Sequence, residues 1–377
     1  MLDLSEARKN IDEIDRQIVN LFEKRMIQAN EVANYKRATG KAVFDKERED
    51  EKLSTLGKMA SNEFNKRAIP ELFSQIMSIS RKYQYSVLST TTDVTEFKKV
   101  DELPVNSDTK VCYFGVPGSH TQQAMEDFFG EGITGISCPT FQSVMEAVEK
   151  GEADYGVLPI ENSSTGGITA NYDLILNYSN SIVGQYVNRI NQCLLALPEA
   201  KFEDIKEVYS HPQGLLQCSE FLDQYPQIEQ IEFSNTAAAA QKVVEDQKIH
   251  QAAIAAPRAA KEYGLQVLRE SIHQEKNNST RFIIIGRESV FVQDSNKIAL
   301  CIELSHECGS LYRILSHFLF NGLNMTQIES RPMKDKNWEY RFFIDIEGNL
   351  EDPAVQNALR GIQEEAKSVR VLGNFKC

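Results

Sequence analysis

Between Ser5 and Thr39 the chain runs 35 residues without a glycine or a proline. Apolar residues Ile11, Ile14, Ile18 and Leu21 recur at helical spacing along it, and Gly40 ends it. A single helix of that length spans about 52 Å. A compact domain of about 90 residues has a radius of gyration of only about 13 Å. Such a helix cannot bury its apolar stripe within its own domain. It calls for a partner, most simply a second copy of the same chain.

Two shorter helical patterns follow, Asp45–Ala60 and Glu63–Ser86, so residues 1–90 read as three helices. Residues 87–108 are rich in Ser, Thr and Asp and read as a linker. From Lys110 to Gly286 short β-type runs alternate with helical patterns. The runs are Val111–Phe114, Tyr155–Ile160, Glu207–Ser210, Ala252–Ala255 and Phe282–Ile285; the helical patterns include Gln142–Lys150 and Leu215–Gln224. This predicts an α/β domain over 109–287 with a largely parallel sheet, large enough for two lobes and a cleft. Residues 297–377 repeat the order βαββαβ, the ferredoxin-like pattern of an α+β domain.

Net charge narrows the partners. The total is −13, which argues against general nucleic-acid binding. Residues 1–90 hold 16 Lys+Arg against 14 Asp+Glu, so that segment can still host a local anion site. No apolar run approaches the roughly 20 residues that span a bilayer, and no secretory h-region stands at the N-terminus. Seven cysteines at wide spacing, with no CxxC, suit reduced thiols of a cytoplasmic protein. The six histidines do not cluster at ligand spacing, so no metal is expected.

The helical segment carries the most informative polar pattern. Arg25 and Lys36 are 11 residues apart, within about 20° of one helix face. Asp45, Arg48 and Glu49 stand at i, i+3 and i+4 of the second helix, and Ser80 and Gln84 at i, i+4 of the third. Any one of these sets would also suit a solvated charged face. Together, in the strings EARKNIDEID, LFEKRMIQANEVANYK, VFDKERE and SISRKYQ, they resemble the all-helical class of chorismate mutase. The resemblance implies an intertwined three-helix dimer. It also implies chorismate ligands at Arg8, Arg25, Lys36, Asp45, Arg48, Glu49, Ser80 and Gln84. Lys36 and Gln84 would donate to the ether oxygen as its bond breaks, and Glu49, helped by Asp45, would accept from the ring hydroxyl. Arg8 lies 28 residues, about 42 Å, before Lys36 on one helix. It should serve the partner chain's site.

The middle domain sets four loops beside strands: GVPGSHT after Phe114, ENSSTGG after Ile160, SHPQG after Tyr209, and NSTRF. Ligands of open α/β sheets bind at such strand ends, and helix N-termini there offer N–H groups to anions. The strings ENSSTGG, SHPQ and STRF resemble prephenate dehydratase over Lys110–Gly286; the first loop departs at Val116 and His120. That resemblance implies a two-lobed fold like periplasmic binding proteins. It places the catalytic threonine at Thr280 and polar prephenate ligands at Asn162, Ser163, Ser210 and Gln217. Arg281 could pair with a substrate carboxylate or form an inter-lobe salt bridge. The reaction needs no cofactor, because the aromatising ring itself takes up the electrons left by CO₂. Thr280, a weak acid, would act within a hydrogen-bonded chain.

The last segment resembles an ACT regulatory domain through Gly309-Ser310-Leu311, with Ser where Ala is usual, and Glu329-Ser330-Arg331-Pro332. Phenylalanine-binding residues would then be Gly309, Ser310, Leu311, Glu329, Ser330 and Arg331, although Leu311 and Arg331 would equally suit core and surface. The family implied by the whole chain is bifunctional chorismate mutase/prephenate dehydratase with feedback by L-phenylalanine, a homodimer or higher homo-oligomer. Two other readings compete. A transcriptional regulator would need a short helix-turn-helix with a basic recognition helix, which the long first helix does not provide. A dehydratase whose helical segment only dimerises would not need all eight ligand positions filled.

Overall fold

The computed structural model describes residues 3–88, 96–275, 277–333 and 339–377. They fall into two compact units. One joins the N-terminal segment up to Glu96 with Leu300–Val371, and the other joins Phe97–Ala299 with Leu372–Cys377.

In the first unit, α1 (Leu4–Thr39) is one unbroken helix. Asp3 caps its start by accepting from the Ser5 N–H, and Gly40 ends it in the left-handed region at φ 69°, where a side chain would be strained. Only Ala29 and Ala33 of α1 are buried. Ile11, Ile14, Ile18 and Leu21 are each more than half exposed, so the apolar stripe has no cover among the described residues. Helix α2 (Lys46–Lys58) is capped by Asp45, which accepts from the Arg48 N–H. Helix α3 (Glu63–Leu88) buries polar residues, Ser80, Arg81, Lys82 and Gln84 among them.

The C-terminal segment has the expected order: strand Lys297–Glu303, helix Ser310–Phe320, strands Met325–Pro332 and Tyr340–Glu347, helix Pro353–Glu365, strand Ser368–Phe375. Taken as strands one to four, they lie side by side in the order 2-3-1-4. The two helices pack on each other and on α3. Gly361 permits that approach, since a Cβ there would come within 2.3 Å of the His317 ring.

The second unit takes part in two large sheets and holds a two-stranded pair. In one, strand Lys110–Phe114 pairs in parallel with Thr134–Cys138 and Tyr155–Asn162. Strand Ser279–Gly286 enters antiparallel between Tyr155–Asn162 and Ser181–Arg189. The other sheet orders the strands Gln266–Arg269, Cys193–Ala196, Gln251–Ala255, Glu207–Ser210 and Glu229–Glu232, with both parallel and antiparallel pairs. The expectation of a largely parallel sheet is therefore corrected to mixed sheets. Phe282–Ile285 is buried on both faces. A continuous apolar run reports two-sided burial, and a central antiparallel strand produces it as well.

Two local readings also change. The predicted helix Leu215–Gln224 is two short ones, Pro212–Gln217 and Ser219–Leu222, broken at Cys218. The predicted linker 87–108 contains a strand, Lys98–Val100, parallel to Val290–Val292. Val100 and Leu103 pack against the core of the first sheet. The part of that linker at 89–95 lies outside the described residues.

Candidate functional sites

The three helices enclose a cavity of about 350 Å³. Seven of the eight expected chorismate ligands line it: Arg25, Lys36, Asp45, Arg48, Glu49, Ser80 and Gln84. Arg8 does not; on α1 it stands almost eight helical turns before Lys36 and almost five before Arg25. Arg25 donates to Ser80 Oγ and to Ile76 O. Lys36 Nζ donates to Val43 O at 2.6 Å. Gln84 Nε2 donates to Ser80 O at 3.2 Å, while its Oε1 is buried without a partner among the described residues. Partial burial lowers the pKa of both Arg25 and Lys36, against the opposing pull of Glu49 and other carboxylates. The pocket thus holds several cations suited to a dianion beside two carboxylates able to accept. It presents no nucleophile–base pair.

Among the lining residues that were not expected ligands is Arg81. Arg81 Nη1 donates to Glu49 Oε1 at 2.6 Å and its Nε donates to Glu365 Oε1 at 2.9 Å. Burial would lower its pKa, but Glu365 and Glu49 outweigh that and raise it. Its position three residues before Gln84 puts it on the same helical stripe, a signal that was available.

The second site sits on the first sheet of the other unit. Thr280 lies directly across from Asn162 on one neighbouring strand and Asn188 on the other. Cross-strand partners share a face, so the three stand abreast. Asn162 Nδ2 donates to Thr280 Oγ1 at 2.9 Å and to Asn278 Oδ1 at 2.8 Å. Asn162 Oδ1 accepts from the N–H groups of Ser164 and Thr165, shaping the loop. Because Thr280 Oγ1 accepts here, its own proton can be donated elsewhere. Asn188 was not foreseen; it is buried, and its Nδ2 has no partner among the described residues. Its strand, Ser181–Arg189, also carries Ser181, Gln185 and Arg189, so no local signal singled it out.

Other expected residues are placed differently. Strand alternation sets Arg281 on the face opposite Thr280, where it pairs with Glu161 at 3.2 Å and donates to Gln185 at 3.3 Å. These two contacts are cross-strand ties within one sheet, on the face opposite the threonine hydroxyl. Ser210 is fully buried and donates inward to Ile254 O at 2.7 Å. Ser163 Oγ accepts from the Ser279 N–H at 2.9 Å, and Gln217 Oε1 accepts from Gln192. Gln213 Nε2 reaches Thr165 Oγ1 at 3.4 Å, so the SHPQG loop of the second sheet meets the ENSSTGG loop of the first. Likewise a Cβ on Gly118, at φ 81°, would stand 3.0 Å from Ala259 Cα. His120, next to that loop, has both ring nitrogens buried and unpartnered among the described residues, and burial pushes its pKa down to about 4.

In the C-terminal segment Gly309 takes φ 76° and caps helix Ser310–Phe320. The Ser310 N–H is spent on Glu307 O at 3.2 Å. Glu329 and Arg331 share one face of an edge strand, whereas Ser330 lies on the other. The three therefore cannot act as one patch.

Two separate clusters of polar and charged side chains, one in each unit, are what an enzyme with two activities on one chain would carry. The chorismate mutase type II family matches residues 7–85, and the prephenate dehydratase family matches residues 111–290. A bifunctional chorismate mutase/prephenate dehydratase of Neisseria gonorrhoeae is 33% identical over 98% of this chain and 95% of its own length. The solved prephenate dehydratase of Arthrobacter aurescens, in complex with L-Phe, is 32% identical with a TM-score of 0.66, covering 71% of this chain and 90% of that one. The solved structure of GqqA, described as a novel type of quorum quenching acylase, is 26% identical with a TM-score of 0.67, covering 71% of this chain and 98% of that one. This chain belongs to the bifunctional chorismate mutase/prephenate dehydratase family. Among the described residues no helix is long and apolar enough to cross a membrane.

Proposed function

We propose that the chain converts chorismate to prephenate in the helical pocket and prephenate to phenylpyruvate at the Thr280 site, in the cytoplasmic synthesis of L-phenylalanine. The observation that carries this reading is the convergence of seven expected ligands on one cavity. The rearrangement moves no proton and forms no covalent intermediate. Its catalysis must come from holding a compact conformer and stabilising developing charge. Arg25 and Arg48 take the carboxylates, Lys36 and Gln84 donate to the ether oxygen, and Glu49 with Asp45 accepts from the ring hydroxyl. The exposed stripe of α1 supports a homodimer or higher homo-oligomer in which Arg8 reaches the partner's pocket.

In the second step hydroxide is a poor leaving group and needs a donor. Thr280, held by Asn162 and directly across from Asn188, supplies it; in this reading Ser163 and Gln217 are further prephenate ligands, and Ser210 supports its loop from within. The domain limits of this reading are 1–90, 109–287 and 297–377. The last is a ferredoxin-like ACT domain, supported by its strand order. It takes L-phenylalanine at Gly309, Ser310, Leu311, Glu329 and Arg331 and lowers dehydratase activity. Incubating purified protein with chorismate and following phenylpyruvate tests the whole reading; chorismate left unconsumed refutes the first activity, and prephenate left to accumulate refutes the second.

A further inference from the structure

The arginine that anchors Glu49 is itself held from the far end of the chain. Arg81 and Glu365 side chains are only 4% and 2% exposed. The guanidinium lies 4.8 Å from the Phe44 ring centre, so it is boxed in on a face as well as along its edges. Glu365 Oε1 is also 3.2 Å from His317 Nε2. Burial raises the Glu365 pKa, but His317 and Arg81 outweigh it and hold the carboxyl below its usual range. The neighbouring Glu364 accepts from the Phe44 N–H at 2.8 Å and from the Tyr85 O–H at 3.0 Å. Phe44 directly precedes Asp45, the cap of the helix that carries Arg48 and Glu49. Two consecutive carboxylates at the end of helix Pro353–Glu365 therefore grip both the start of α2 and the arginine opposite Glu49.

We propose that Glu365 is a positioning residue of the mutase pocket, acting through Arg81 on Glu49, so that the pocket's affinity is set by the C-terminal segment. The proposal rests on the reading in which Glu49 accepts from the ring hydroxyl of chorismate. A guanidinium fork fixed on both sides holds Glu49 with one edge only. Without the Glu365 charge, the buried fork turns wholly to Glu49, the remaining carboxylate, and withholds it from substrate. The hydroxyl contact is made in the bound substrate and in the transition state alike, so its loss appears in KM with kcat little changed.

The test is mutase and dehydratase kinetics on the full-length Glu365→Gln protein. The expected result is a KM for chorismate raised about tenfold, equivalent to about 1.4 kcal/mol, with unchanged turnover of added prephenate. Ser316→Ala serves as the comparison: it breaks another contact between α3 and the C-terminal helices, Lys82 Nζ to Ser316 Oγ at 2.8 Å, and changes no charge. It should keep the wild-type KM. A wild-type KM in Glu365→Gln overturns the proposal, as does an equal rise in Ser316→Ala. If Glu365→Gln fails to fold, Arg81→Lys decides, since it keeps the charge but loses the two-edged fork; a raised KM supports the relay and a normal one overturns it. Wild-type protein that leaves chorismate untouched would instead refute the function reading, before any variant is compared.

Discussion

Replacing Thr280 by valine keeps the side-chain shape and removes one hydroxyl. The structure separates what this costs the fold from what it costs the reaction. Thr280 Oγ1 accepts one hydrogen bond, from Asn162 Nδ2. That same Nδ2 keeps Asn278 Oδ1 at 2.8 Å and Ser279 O at 3.2 Å, so no donor is stranded. The expected loss of stability is one ordinary hydrogen bond, about 1 kcal/mol, or roughly 2–4 °C in Tm for a unit of this size. The loss of a positioned proton donor is far larger, about 10²- to 10⁴-fold in turnover. Phenylpyruvate formation from added prephenate should therefore fall by at least about a hundredfold, while Tm shifts slightly and chorismate consumption by the helical pocket is unchanged. Turnover within threefold of wild type would remove Thr280 from the mechanism. A parallel collapse of Tm and both activities would mean that the hydroxyl holds the fold and that the donor assignment is wrong.

Further outcomes follow from the other sites. Arg8→Ala and Lys36→Ala chains, each mutase-inactive, should regain activity when mixed, because one pocket of a hybrid dimer has both residues intact; no recovery despite demonstrated subunit exchange would refute a shared site. L-phenylalanine should bind wild type in calorimetry and bind Gly309→Val weakly, since φ 76° strains a β-branched residue; no binding to wild type at millimolar ligand would sink the effector reading. The low pKa of His120 implies a folded state that keeps the ring neutral. Its folded pKa of about 4 lies below the ordinary 6.5, so its stabilising contribution is complete above pH 6.5 and is lost as pH falls towards 4. The loss is up to about 3 kcal/mol. Tm measured from pH 7 to 4.5 should fall more steeply for wild type than for His120→Leu, and parallel curves would refute it.

Much of the molecule was legible in the chain because helical signals are local. The absence of Gly and Pro from Ser5 to Thr39 made one helix unavoidable, and its length made an uncovered apolar stripe unavoidable too. Residues at i, i+3, i+4 and i+11 share a face whatever surrounds them, so the polar stripes were legible before the helices were assembled, and the resemblance to helical chorismate mutases picked the expected ligands out of them. Turn residues likewise marked the loops at the strand ends. Strand direction was not legible: Phe282–Ile285 reads the same whether its neighbours run parallel or antiparallel, since hydrophobicity records burial alone. Nor was the division of labour between Thr280 and Arg281, adjacent in sequence and opposed across the sheet once paired. Most distant from any local signal is Glu365, 284 residues from Arg81. On its own it looks like any acidic residue ending a helix. Only the packing of helices 310–320 and 353–365 against α3 removes water from it and makes Arg81 its partner, because burial leaves a charge no alternative to an opposite one.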